Sequence, residues 1–121
     1  MSEKILEKIS SVKVESIAKE YPLQYFDLKK YSIGENIEKE LPEKHLFDRA
    51  EVYVVIASLI AKQLDGEEGA LKTSDWNLFY TEKFVVSVRW RSEDGLWDVV
   101  VWDRGADWLG GRRVFSPGAE N

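Results

Sequence analysis

The chain has 121 residues, 44% of them hydrophobic and 32% charged, with no cysteine and a formal net charge of −5. This suits a single domain over residues 1–121 with a sizeable core, and it excludes a disordered segment, a disulfide framework, thiolate catalysis and a cysteine zinc site. The N-terminus carries charge from Glu3 onward and the longest apolar run, Val52–Ala61, is too short for a bilayer, so a cytoplasmic protein without membrane contact is expected.

Ile5, Leu6, Ile9 and Val12 have helical spacing, with Ser2 placed to cap the start, and Ile17, Ala18 and Tyr21 resume the phase. The spacing predicts one helix to about Tyr21, bent at Ser10-Ser11 and ended by Pro22. Residues 23–33 show neither period and read as a connecting segment whose aromatic rings cover the core edge. Gly34 punctuates, and Ile37–Leu41 predicts one helical turn. Pro42 fits the first position of a long helix running to Asp65, with Gly66 beyond its end. Its main stripe includes Phe47, Tyr53, Ala57, Ile60 and Leu64. Val52, Val55, Ile56 and Leu59 extend the apolar surface nearly all round, which predicts enclosure on more than one face.

Strand signals follow at Asn77–Tyr80, Phe84–Arg91, Leu96–Arg104 and Arg112–Phe115. Helices first and strands afterwards predict an α+β fold. In it, N-terminal helices, one long and largely buried, pack on one face of a C-terminal antiparallel meander of three to four strands.

The hairpin of Phe84–Arg91 and Leu96–Arg104 is the most informative stretch. Ser92-Glu93-Asp94-Gly95 suits a four-residue loop with Gly at its last position. That register opposes Trp90 to Trp97, Val88 to Val99 and Val86 to Val101; a tighter loop on Asp94-Gly95 moves the partners by two residues, and in either case these six residues share the face expected against the helices. The other face carries Arg89, Arg91, Val100, Trp102 and Arg104, with Arg89 opposite Asp98 in the four-residue register and Arg91 opposite it in the tighter one.

All five tryptophans lie in residues 69–121, together with five arginines and two lysines against eight acids. Residues 1–68 hold nine lysines and one arginine against fourteen acids. Tryptophan beside arginine on a solvent-facing sheet is the composition of a binding hot spot. Arg89, Arg91, Trp102 and Arg104 are therefore the candidate binding residues, joined by Trp108 and by Arg112 and Arg113 at the sheet's border. The commoner meaning of such residues is structural: Arg89 pairs with Asp98, Trp102 lies under the 105–111 loop, and Gly110-Gly111-Arg112-Arg113 is a turn into an edge strand.

No catalytic, metal or cofactor signal rises above background. His45 is the only histidine and belongs to a charged helix surface. Asp98 and Asp103 have opposite parity, so they leave opposite sheet faces and do not converge on one ion, and Asp103 is left to a loop amide or an arginine. The sequence is read as a non-catalytic protein-binding module, such as an adaptor, inhibitor or small regulatory factor, whose partner is another protein or a second copy. Single-stranded nucleic acid on the same face is the alternative, and a small enzyme with an unrecognised site comes third.

Overall fold

The structure, a computed structural model, describes residues 4–16 and 19–118. The expected N-terminal helix is instead a hairpin of β1 (Leu6–Glu15) and β2 (Glu20–Leu28). The reason lies at Ile9, where the register shifts between Lys8 and Ser10. Leu6 pairs with Leu28 on one face of the sheet, but beyond the bulge Val12 pairs with Leu23 on the other. One inserted residue thus breaks the alternation of a strand and leaves apolar residues three apart, which imitates a helix. The cap expected at Ser2 and the helical phase at Ile17 and Ala18 lie outside the described residues.

After β3 (Ser32–Ile33) comes α1 (Gly34–Glu40), a little longer than the turn expected there. The long helix shrinks to α2 (Val52–Ala61). Its expected first half is irregular because Phe47 is used by the sheet, through a parallel bridge to Thr81 and a bond from its N–H to the Tyr80 carbonyl at 2.8 Å. The Asp48 carboxylate then accepts the Ala50 N–H at 2.8 Å and starts the helical turn. Nor is α2 enclosed on several sides. Val52, Val55, Ile56 and Leu59 are buried, whereas Tyr53 and Val54 are exposed.

The remaining strands are β4 (Asn77–Tyr80), β5 (Phe84–Arg91), β6 (Leu96–Asp103), β7 (Asp107–Trp108) and β8 (Arg113–Pro117). They do not form a separate meander. One six-stranded mixed sheet runs β1-β2-β8-β4-β5-β6, and β3 pairs with β7 in a small second ladder. The α+β reading of helices on a three- to four-stranded antiparallel meander is overturned by this order. The last strand enters the middle of the sheet, antiparallel to β2 and parallel to β4.

Both faces of the sheet are covered. On one, α2 packs on Val14, Leu23, Phe79, Val86, Val88 and Phe115. On the other, α1 and the β3–β7 ladder cover Leu6, Phe26, Leu28, Leu78, Tyr80, Val85 and Val114. Burial on two faces explains why central β4 is buried along its whole length, with Phe79 facing α2 and Leu78 and Tyr80 facing α1. Among the described residues no helix is long and apolar enough to cross a membrane.

Candidate functional site

Of the two registers open to the β5–β6 hairpin, the structure has that of the four-residue loop: Trp90 opposes Trp97, Val88 opposes Val99, Val86 opposes Val101 and Arg89 opposes Asp98. The N–H groups of Asp94 and Gly95 close the loop on the Arg91 carbonyl at 3.1 and 2.8 Å, with Gly95 at φ +64°. The division into faces also holds, since Val86, Val88 and Trp97 belong to the α2 side and Val85 to the α1 side.

Burial of the whole α2-side set does not follow, however. β6 is the last strand of the sheet, and Val99 and Val101 remain 41% and 52% exposed. Membership of the core face is set by the pleat, but coverage depends on whether a neighbour reaches the edge.

On the α1 face the sheet gathers a cluster whose centre is Trp76, a residue that pattern reading passed over. Trp76 immediately precedes β4. The β4–β5 register, Asn77 against Val88, puts Trp76 level with Arg89, and the parallel β4–β8 register, Asn77 against Arg113, puts it level with Arg112. Both guanidinium groups lie 5.1 Å from the Trp76 ring centroid. Such contacts contribute about 0.5–1 kcal/mol each at exposed sites and more when water is excluded.

Two further indoles close on the same ring. Trp102 from β6 is 5.7 Å and Trp108 from β7 is 5.9 Å from it, and those two meet edge-on at 5.5 Å. Trp102 donates its Nε1–H to Ser87 Oγ at 2.7 Å, which leans the indole along the sheet toward this group. Trp108 is buried, at 5% exposure, but Trp102 keeps 37%. The loop that follows β6 therefore covers one edge of Trp102 and leaves the rest open. A polar hollow of about 280 Å³ adjoins the cluster, lined by Thr73, Asp75, Trp76, Arg89, Glu93 and Arg112.

The other candidate residues are placed elsewhere. Arg91 is held at the hairpin loop by Asp94 at 2.9 Å, with Glu93 and Asp98 at 3.7 and 3.8 Å. Arg104 forms a two-pronged bond to Glu38 of α1, from Nη2 at 2.7 Å and Nε at 3.0 Å, while its Nη1 donates to the Glu82 carbonyl at 2.8 Å. Arg112 and Arg113, adjacent in sequence, part to opposite faces. Arg112 reaches Asp75 at 2.8 Å on the cluster side, and Arg113 binds Asp27 at 2.8 Å and lies over Tyr25 on the α2 side. Of seven candidates, the structure brings together Arg89, Trp102, Trp108 and Arg112.

His45 completes the Glu38 network. Its Nε2 lies 2.8 Å from the Glu38 carboxylate and its Nδ1 is 3.0 Å from the Pro42 carbonyl oxygen. Burial pushes the Glu38 carboxyl upward, but hydrogen bonds from Arg104 and His45 outweigh it and hold the group below its ordinary value. The network ties α1 and the segment after it to the end of β6. Asp103 accepts a bond from the Gly105 N–H at 2.9 Å, the loop amide expected for it, and Asp107 accepts from the Tyr31 hydroxyl. Among the described residues no three histidine, aspartate or glutamate side chains converge to hold a metal ion.

Compared with protein-family models, curated proteins and solved structures, the chain matches none.

Proposed function

We propose that the chain is a non-catalytic protein-binding module that docks its partner on the Trp76–Trp102–Arg89–Arg112 face of the sheet. The observation that carries this reading is Trp102. It is fixed by Ser87 and two indoles yet over a third exposed. A rigid aromatic side chain loses little entropy on binding, and arginine beside it supplies polar contacts, which is the usual make-up of an interface anchor.

Charge indicates the kind of partner. Among the described residues Arg89 makes no ion pair, although it lies against Trp76. A partner segment that places a carboxylate on Arg89 and an apolar side chain on Trp102 fits both groups. The charged, cysteine-free composition suits a cytosolic adaptor or regulator.

Single-stranded nucleic acid is less well supported. Base stacking needs open indole faces, and because the Trp76 ring is already approached by Arg89, Arg112, Trp102 and Trp108, only the exposed part of Trp102 is left to stack on a base. The net charge of −5 also opposes a polyanion.

The test is selection from a displayed peptide library, with each selected peptide titrated by tryptophan fluorescence. We expect acidic peptides with an aromatic or aliphatic residue, and loss of binding in Trp102→Ala and Arg89→Glu. Failure to select any peptide, combined with salt-sensitive binding of an oligonucleotide, would replace this reading with the nucleic-acid one.

A further inference from the structure

The two edges of the sheet are built differently. β1 is guarded: Glu7, Lys8, Lys13 and Glu15 are exposed along it, and the bulge between Lys8 and Ser10 disrupts its ladder. β6 is guarded less: its only charges are the half-exposed Asp98 and the exposed Asp103 at its end. From Leu96 to Asp103 its register with β5 is unbroken, and it contains no lysine, proline or glycine. Leu96, Val99, Val100, Val101 and Trp102 are all exposed, on both faces of the strand. A long, flat, apolar edge carries unpaired backbone groups that template another strand, and monomeric proteins normally blunt it.

We infer that this edge pairs with a second copy of the chain, β6 antiparallel to β6 about a two-fold axis through Val100, so that two sheets become one. The strand is self-complementary about that residue. Val99 opposes Val101 of the second copy, and Asp98 and Asp103 oppose Trp102 and Trp97. No like charges meet directly. Asp98 lies on the diagonal from Arg104 of the second copy, and the two-fold axis repeats that opposite-charge contact.

Size sets the strength. Eight residues form an edge about 27 Å long. Pairing it buries surface on the order of 400–500 Å² per copy, below the roughly 800 Å² of a standard stable interface. The dimer is therefore a reversible one with a micromolar dissociation constant. It uses the edge of β6 and shares only Trp102 with the face proposed for a partner, and it does not rest on the protein-binding reading of that face.

Sedimentation equilibrium of the full chain tests this. The expected result is a monomer–dimer equilibrium in the micromolar range. Val99→Lys with Val101→Lys places lysine against lysine twice and should raise the dissociation constant by at least about 100-fold. Val99→Lys with Val101→Glu sets opposite charges across the same positions and should restore most of the affinity. Both positions are exposed, and far-ultraviolet circular dichroism will show whether each variant keeps its fold. Independently, Val100→Cys creates the only thiol in the protein, on the axis itself, and should give a disulfide-linked dimer under mild oxidation. A wild-type chain that stays monomeric into the hundred-micromolar range overturns the proposal. So does a dimer that withstands the lysine pair and leaves the Val100→Cys thiol unlinked.

Discussion

At the scale of single residues, the tryptophans divide by what lies above them. Trp76 is enclosed by two guanidinium groups and two indoles, and Trp102 is enclosed on one side only. Trp76→Ala should therefore lower stability by about 2–3 kcal/mol, below the cost of a fully buried ring because Trp76 is half-buried. Trp102→Ala should cost less, about 1–2 kcal/mol, while abolishing the binding proposed for this face. Urea titrations of both variants check the order. Two glycines offer a second contrast at this scale. Gly66 and Gly95 both have positive φ, 75° and 64°. A methyl group on Gly66 would sit 2.3 Å from the Trp90 ring, whereas one on Gly95 meets nothing within 4 Å. Gly95→Ala should cost only the backbone term, about 1 kcal/mol. Gly66→Ala adds a clash with a packed indole and should cost roughly 2–4 kcal/mol.

At the scale of elements, α1 is too short to be stable alone, and it is attached by ions as well as by its buried Ile37. Glu38 binds Arg104 at the end of β6 and His45 beyond the helix. Because its folded carboxyl titrates below the ordinary 4.5, the stability it contributes is fully present above that value and is lost as pH falls through the lowered one. Comparing wild type with Glu38→Gln by urea denaturation should show a gap of about 1–2 kcal/mol at pH 7 that narrows steadily below pH 4.5. A gap that stays constant with pH would mean that Glu38 contributes through shape rather than charge. The β1–β2 hairpin has a different weak point. Its bulge moves apolar residues from the α1 side to the α2 side, which lets one strand serve both cores. Removing the extra residue at Ile9 should turn either Leu6 or Val12 and Val14 toward the wrong face.

At the scale of the whole molecule, β8 is the join. Without it the sheet separates into β1-β2 and β4-β5-β6, since β8 pairs with both β2 and β4 and, among the described residues, no other ladder joins those two sets of strands. Phe115 stacks on Phe79 at 4.7 Å and lies tilted against Tyr25 at 5.2 Å, so the join is packed as well as hydrogen-bonded. Ending the chain at Gly111 should abolish the cooperative thermal transition and near-ultraviolet circular dichroism together. A truncated chain that still melts cooperatively would show that β4-β5-β6 with α2 folds unaided. Completing the sheet requires pairings between residues far apart in the chain, which predicts folding slower than that of a helical domain of this length.

What the sequence determined by itself is what local rules govern. The bounds of β4, the faces of the β5–β6 hairpin and the split of its tryptophans between them follow from alternation and turn chemistry within residues 77–103, whereas the choice between a four-residue and a tighter loop was left to the structure. The same reasoning failed where a distant contact overrode the local pattern. The bulge at Ile9 concealed a strand, the bridge from Phe47 to Thr81 shortened a helix, and insertion of β8 replaced a meander with a mixed sheet. The candidate site divides the same way. Arg89 and Trp102 were legible because they share a face of one hairpin. Trp76 was not, because its partners Arg89 and Arg112 come from the two strands flanking β4, and no local pattern records which strands those are. Within the β5–β6 hairpin the sequence set the side to which each residue points; only the tertiary structure decided what, if anything, stands there to cover it.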